Sequence, residues 1–279
     1  MIGLARRRDA ADIPAAFKGA KLRDKAERLA RLYFEAQKAG RFEFESSQWK
    51  PAKDALKFDT HGKCAYCEAQ TSVVAHGDVE HFRPKSIYWW LALFYDNYLF
   101  SCQICNQTFK GDNFPLTGAR EQPPAMPALL PTGVALTALL DLLTHDPQSV
   151  SDADLRQRWA SEDADLVDPY LENPEPLFAY EVDVNNEEVW IRSAGGARAD
   201  RAIAASEKYL GLNREELRRE RFVMYAPLAV FGQLLSIPGL PATARQTSEA
   251  EVVRMQAASE PFAGMRRFFA RSWGLPPAA

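Results

Sequence analysis

Apolar positions near the start of the chain recur with the 3.6-residue period of a helix. Leu22, Ala26, Leu29, Ala30, Tyr33 and Phe34 fall on one stripe with Lys and Arg between them, and Gly40 is placed to stop it. We read residues 1–57 as a helical segment. Residues 119–165 read as an insert: Pro123, Pro124, Pro127 and Pro131 make an irregular start, and a short apolar helix is expected over 135–143. A hairpin is expected over 177–191 with its turn at 183–186, and helical spacing returns over 198–212. Asn213 is placed to cap the helix that opens with Arg214, Glu215 and Glu216. Ser248 and Glu251 have the spacing of a capping box ahead of a last helical region. No internal repeat is visible.

Two apolar stretches need a decision. Residues 222–240 approach the length of a membrane span, but Pro227, Gly232, Gln233, Ser236 and Pro238 interrupt them. Broken helices need neighbours that satisfy the freed backbone, so a buried, kinked core helix is expected and no membrane contact. Near the C-terminus, Phe262, Met265, Phe268, Phe269 and Trp273 recur at roughly helical spacing with Arg266, Arg267 and Arg271 among them. The plain reading makes them part of this chain's own core; the other makes them a docking helix. The arginines at 214, 218, 219 and 221 alternate with Glu215, Glu216 and Glu220, which reads as a solvated helix face.

Composition changes the picture little. Of 279 residues, 47% are hydrophobic and 25% charged, enough for an ordinary core. A net charge of −3 excludes a strongly basic nucleic-acid coat, so any such binding needs local positive charge or a partner. The first residues carry charge without an apolar run of signal-peptide length, and a cytoplasmic protein is expected.

The chemistry concentrates in residues 58–118, which hold all four cysteines and His61, His76 and His81; the fourth histidine is His145. Cys64 with Cys67 and Cys102 with Cys105 are two C-x-x-C pairs. Each presents two thiolates from one tight turn, and two such turns complete a tetrahedral Zn²⁺ shell with no open position for water. A structural zinc is therefore expected, in preference to two redox pairs or unrelated buried thiols. The pairs stand farther apart than the roughly 15–20 residues of a simple zinc ribbon, so something of functional size sits between them. That segment reads Asp78-Val-Glu80-His81-Phe-Arg83-Pro84-Lys85-Ser86. Its alternation, ended by a proline, suits a short strand leaving for a loop. Asn97 follows, and Asn106 comes directly after the last cysteine, ahead of Lys110-Gly111.

This set, C-x-x-C, an acidic residue next to His, Asn, then C-x-x-C-N with a following Lys-Gly, resembles the HNH or ββα-metal (His-Me finger) nuclease family. Wider phrases narrow the resemblance to the HNH subunit of Septu-type and retron-associated anti-phage systems: Lys63 to Glu68, Glu80 to Ser86, Lys110 to Leu116, Asp168-Pro-Tyr170 and Gly211 to Arg214. It covers residues 49–118 well and 166–235 loosely. The implied fold is α+β and mostly helical: a small ββα-metal core over 58–118 with zinc knuckles, set between the 1–57 segment, the 119–165 insert and a mainly helical 166–279 region with one hairpin. Carried over position by position, Glu80 and Asn106 are ligands of a catalytic Mg²⁺ or Mn²⁺, His81 is the general base and Asn97 the brace of its loop. Asp78 is a further candidate ligand, and Asp168 is left outside the site. The sequence has Asn106 where many members carry a third histidine, a familiar variant.

These residue types suit phosphodiester hydrolysis. A neutral imidazole can take a proton from water at cytoplasmic pH. Hard oxygen ligands favour Mg²⁺ or Mn²⁺ over zinc. Arg83, Lys85 and Lys110 are candidates for holding neighbouring phosphates. Trp89, Trp90, Phe94 and Tyr95 are expected to form an apolar wall before they stack bases. DNA is the favoured substrate. The alternatives are an RNA (tRNA) nuclease, a catalytically inactive zinc-stapled interaction module, and a zinc-ribbon binding module. The resemblance also implies an ATPase partner.

Overall fold

The computed structural model describes residues 1–71 and 75–278. The chain is α+β and mostly helical, with two small two-stranded antiparallel sheets. Helix α1 (Gly19–Ala39) carries the predicted stripe inward, burying Leu22, Ala26, Leu29 and Ala30. It ends where expected: Gly40 adopts φ 73°, a left-handed conformation cheap only for glycine, and its N–H returns to the Ala36 carbonyl at 2.8 Å. The rest of residues 1–57 is less helical than predicted. Residues 1–8 carry no helix and run across the core, where buried Arg6 donates to the Tyr98 carbonyl at 2.8 Å and covers the Tyr170 ring. Tight 3-10 turns at Ser46–Gln48 and Lys50–Ala52 lead into the short α2 (Lys53–Asp59).

Strands β1 (Asp78–His81) and β2 (Tyr98–Ser101) pair with His81 opposite Tyr98. The strand predicted around Glu80-His81 therefore exists. A small apolar cluster of Ile13, Phe17, Ala52, Leu56, Tyr95, Tyr98 and Phe100 backs this hairpin and ties it to α2. Directly after β2 comes a wide π-helical segment, Ile104–Lys110, closed by a Gly111 N–H to Asn106 carbonyl bond of 2.7 Å.

Residues 119–165 contain the expected helix as α3 (Gly133–Leu143), packed on α1, and a second helix, α4 (Asp152–Trp159). The predicted hairpin is β3 (Phe178–Asp183) with β4 (Glu188–Ser193). Asp183 accepts bonds from the Asn185 and Asn186 backbone to shape its turn. Helix α5 (Ala197–Leu210) ends at Gly211, whose φ of 59° and position, with an added Cβ only 2.4 Å from the Phe109 ring, leave room for no side chain. That contact seats α5 against the π-helix.

Helices α6 (Glu215–Leu235), α7 (Ala242–Met255) and α8 (Ala263–Ser272) close the fold and correct several expectations. Asn213 does not cap α6. Its amide bonds both backbone groups of Ile191, at 2.8 and 2.9 Å, and so hooks the helix start to β4. Ser248 and Glu251 form no capping box, because α7 starts earlier and the Ser248 hydroxyl donates back to Ala244 within the helix. The start of α6 is solvated only in part: Glu215, Glu216, Arg219 and Glu220 are exposed, but Arg221 is buried and donates to the Val189 and Leu212 carbonyls, and Arg218 pairs with Glu188. Nor is the following apolar run a buried core helix. Val223 and Val230 are 58% and 61% exposed, and α6 turns only part of its surface inward, against β4, α7 and α8. Among the described residues, no helix is long and apolar enough to cross a membrane. The C-terminal residues follow the plain reading. Phe262, Met265 and Phe269 are buried, while Arg267 and Arg271 both close on Glu175, so α8 completes this chain's own core.

Candidate active site

Alternation along β1 divides the site. Asp78 and Glu80 face the π-helix, while Val79 and His81 face the other way, against the cluster that backs the sheet. On the helix side, the Asp78 carboxylate accepts from the Asn106 amide at 3.1 Å and from the Gln107 amide at 2.8 Å. Glu80 is buried and lies 2.6 Å from the Lys110 ammonium, which also donates to the His81 carbonyl at 3.0 Å. Burial raises the Glu80 carboxyl above its ordinary range, and Lys110 offsets part of that. Asn106 and Lys110 are one helical turn apart, which is why both reach β1.

On the other side, the His81 ring is gripped edge-on by Trp49 and Tyr98, with centroids 4.9 and 5.0 Å away. Its Nε2 lies 2.9 Å from the Ala92 carbonyl. A carbonyl only accepts, so Nε2 carries the proton and Nδ1 keeps the lone pair. Burial, with the positive charge of Lys85 beside it, pushes the His81 pKa down to about 3, so the ring is neutral at any physiological pH. Asn97 is fully buried. Its Oδ1 accepts from the Arg83 N–H at 2.8 Å and its Nδ2 donates to the Arg83 carbonyl at 2.9 Å, pinning the two ends of the loop that leaves β1 and returns to β2.

Asp78, Glu80, His81, Lys85, Asn106 and Gln107 border one cleft of about 370 Å³. Ser46, Trp49 and Lys50 ahead of α2 and Lys53, its first residue, line the same cleft, and the sequence does not single them out. Of the three cations expected at phosphates, only Lys85 lines this cleft. Lys110 is buried on Glu80, and Arg83 is buried on Glu162 at 2.7 Å, stacked over Trp159. Trp89, Trp90, Phe94 and Tyr95 are buried and form the apolar wall. Asp168 lies away from the cleft, where burial raises its carboxyl to about 6.

The four cysteines meet as their spacing implied. The sulfurs of Cys64, Cys67, Cys102 and Cys105 all lie within 4.8 Å of one another, with Cys67 and Cys102 4.0 Å apart, and could hold a metal ion such as zinc. None is in a disulfide. The Arg214 guanidinium stands 3.6 Å from the Cys105 sulfur, a cation placed to offset thiolate charge. The cluster ties the turn before β1 to the π-helix after β2, so it fixes the same elements that carry Glu80, His81 and Asn106.

A relative matches part of the chain. It is Septu protein PtuB of Bacillus mycoides (strain KBAB4), 37% identical over 89 residues, which is 27% of this chain and 30% of the relative. The chain thus matches less than a third of that relative's own length. No family model and no solved structure matches.

The donors in the cleft suit a hard cation. Asp78, Glu80 and Asn106 present oxygens alone, and the Asn106 amide, with its nitrogen committed to Asp78, keeps its oxygen free as a donor. The thiol cluster suits a soft ion such as zinc.

Proposed function

We propose that this chain is a metal-dependent HNH endonuclease that hydrolyses phosphodiester bonds of nucleic acid, DNA before RNA, as the effector of an anti-phage defence system. The observation that carries the reading is the placement of His81. It borders the cleft it shares with Glu80 and Asn106, with its Nε2 turned to the Ala92 carbonyl at 2.9 Å. That leaves Nδ1 to take a proton from water. The low basicity imposed by burial is relieved when a phosphate arrives, because its negative charge favours the imidazolium. Trp49 and Tyr98 hold the ring, and Asn97 holds the loop, so little reorganisation is needed at the moment of attack. Glu80 and Asn106, with Asp78 beside them, would hold Mg²⁺ or Mn²⁺, which supplies Lewis-acid relief of charge on the leaving oxygen. The thiol cluster would hold structural Zn²⁺.

The defence role and an ATPase partner rest on the resemblance to Septu-type systems and on the partial match to a Septu protein. The test of activity is direct. The full chain, incubated with plasmid DNA and separately with tRNA in Mg²⁺ or Mn²⁺, should nick the plasmid, and His81→Ala should not. Cleavage of tRNA alone moves the substrate to RNA; equal cleavage by His81→Ala overturns the mechanism. The partner is tested by co-purification with an ATPase encoded beside it.

A further inference from the structure

The cleft lining is mixed in charge. Asp78 and Glu80 of β1 and Asp112 after the π-helix bring carboxylates; Lys50, Lys53 and Lys85 bring ammoniums. Lys50 and Lys53 stand one turn apart where the 3-10 turn passes into α2. Trp49, next to Lys50, packs on the His81 ring at 4.9 Å, and the Lys85 ammonium lies 5.4 Å from the Trp49 ring centre. The basic part of the lining is thus tied to the imidazole through one indole. Arg7, Arg8, Arg83, Arg158, Arg198 and Arg201 each close on a carboxylate, whereas none of the three cleft lysines has an ion pair among the described residues.

Resting on the nuclease reading above, we propose that Lys50, Lys53 and Lys85 form a three-cation clamp on the sugar–phosphate backbone flanking the bond addressed by His81. The segment 46–53 is then the second jaw of the cleft. Lysine ammoniums on flexible stems act as point charges that hold a phosphate without reading a base. The clamp supplies the local positive charge that a chain of net charge −3 otherwise lacks. It makes backbone binding independent of sequence.

The experiment is equilibrium binding by full-length His81→Ala protein, in constant Mg²⁺, to a labelled DNA duplex and to the matching single strand across a salt series. Each neutralised phosphate contributes about 0.9 to the slope of log affinity against log salt for duplex and about 0.7 for a single strand. Replacing the three lysines with glutamine should make the slope shallower by about 3 on duplex or about 2 on single strand. The loss should be the same for unrelated sequences. Lys50→Arg, Lys53→Arg and Lys85→Arg together should keep the parent slope, which separates lost charge from misfolding. Lys21→Gln with Lys38→Gln, on exposed positions of α1, should leave it unchanged. An unchanged slope in the triple glutamine variant overturns the clamp. So does an equal loss per lysine from the α1 pair, or no binding by the parent at low salt. A chain that cuts but keeps its slope rejects the clamp alone; one that binds through these lysines yet never cuts rejects the nuclease alone.

Discussion

Asn97 offers the sharpest test of how the site is built. Its side chain is fully buried and satisfies the N–H and the carbonyl of Arg83 at 2.8 and 2.9 Å, with a longer contact to the Leu91 carbonyl at 3.4 Å. Asn97→Ala strands two buried backbone groups, at about 1–3 kcal/mol each. Even if a water recovers part of this, a loss of about 3 kcal/mol is expected. For a chain of this size each kcal/mol lowers the melting temperature by about 2–4 °C, so the expected drop is about 6–12 °C. Asn97→Asp separates the two bonds. A carboxylate accepts from the Arg83 N–H but cannot donate to its carbonyl, and it buries a charge, so it should be no more stable than the alanine variant. Thermal unfolding followed by circular dichroism reads the effect, and urea unfolding gives the free energy independently. A loss below about 0.5 kcal/mol in Asn97→Ala, the range of ordinary surface substitutions, would refute the claim that this amide holds the loop together.

Three further outcomes are expected. Glu162 receives Arg83 and the Tyr88 hydroxyl, each at 2.7 Å in a buried site, so Glu162→Ala should cost about 3–5 kcal/mol in urea unfolding by leaving Arg83 buried without its counter-charge; a near-neutral result would show the pair is not needed. Burial, then the charge of Arg158, holds His145 down to about 4, so the folded chain keeps it neutral while the unfolded chain protonates below about 6.5. Stability should therefore be full above pH 6.5 and fall by up to about 3 kcal/mol as pH drops towards 4, and His145→Gln should make that fall shallower without abolishing it, since His81 contributes with the same sign. Stripping metal with a chelator should lower the melting temperature and expose the four thiols to a thiol reagent, because structural zinc binding contributes directly to folding; elemental analysis finding no metal in a fully stable chain would reject the zinc site.

What could be read from the sequence was what is local. The α1 stripe and Gly40, the β1 alternation before Pro84, the hairpin over 177–191 and the paired C-x-x-C turns each declare themselves within a few residues, because periodicity and turn chemistry act over that range. The resemblance pointed to Glu80, His81, Asn97 and Asn106 together; the fold puts Glu80, His81 and Asn106 in one cleft lining and Asn97 on the loop beside it. Tertiary structure decided where charge goes. Arg83 and Lys110 read as free cations from their neighbours, but Glu162 lies 79 positions away from Arg83 and meets it only after the insert folds back. Asn213 had the local chemistry of a cap and was taken by β4, and the arginines of α6 were drawn inward by carbonyls of β4 and the α5–α6 turn. Trp49, Lys50 and Lys53 lie inside the span of the resemblance but carry no motif of their own, since nothing in a lysine's sequence neighbours tells a solvated charge from one lining a cleft. That difference is set by the path of the whole chain, which brings α2 against β1 and β2 and so puts these residues in the lining of the same cleft as Asp78 and Glu80.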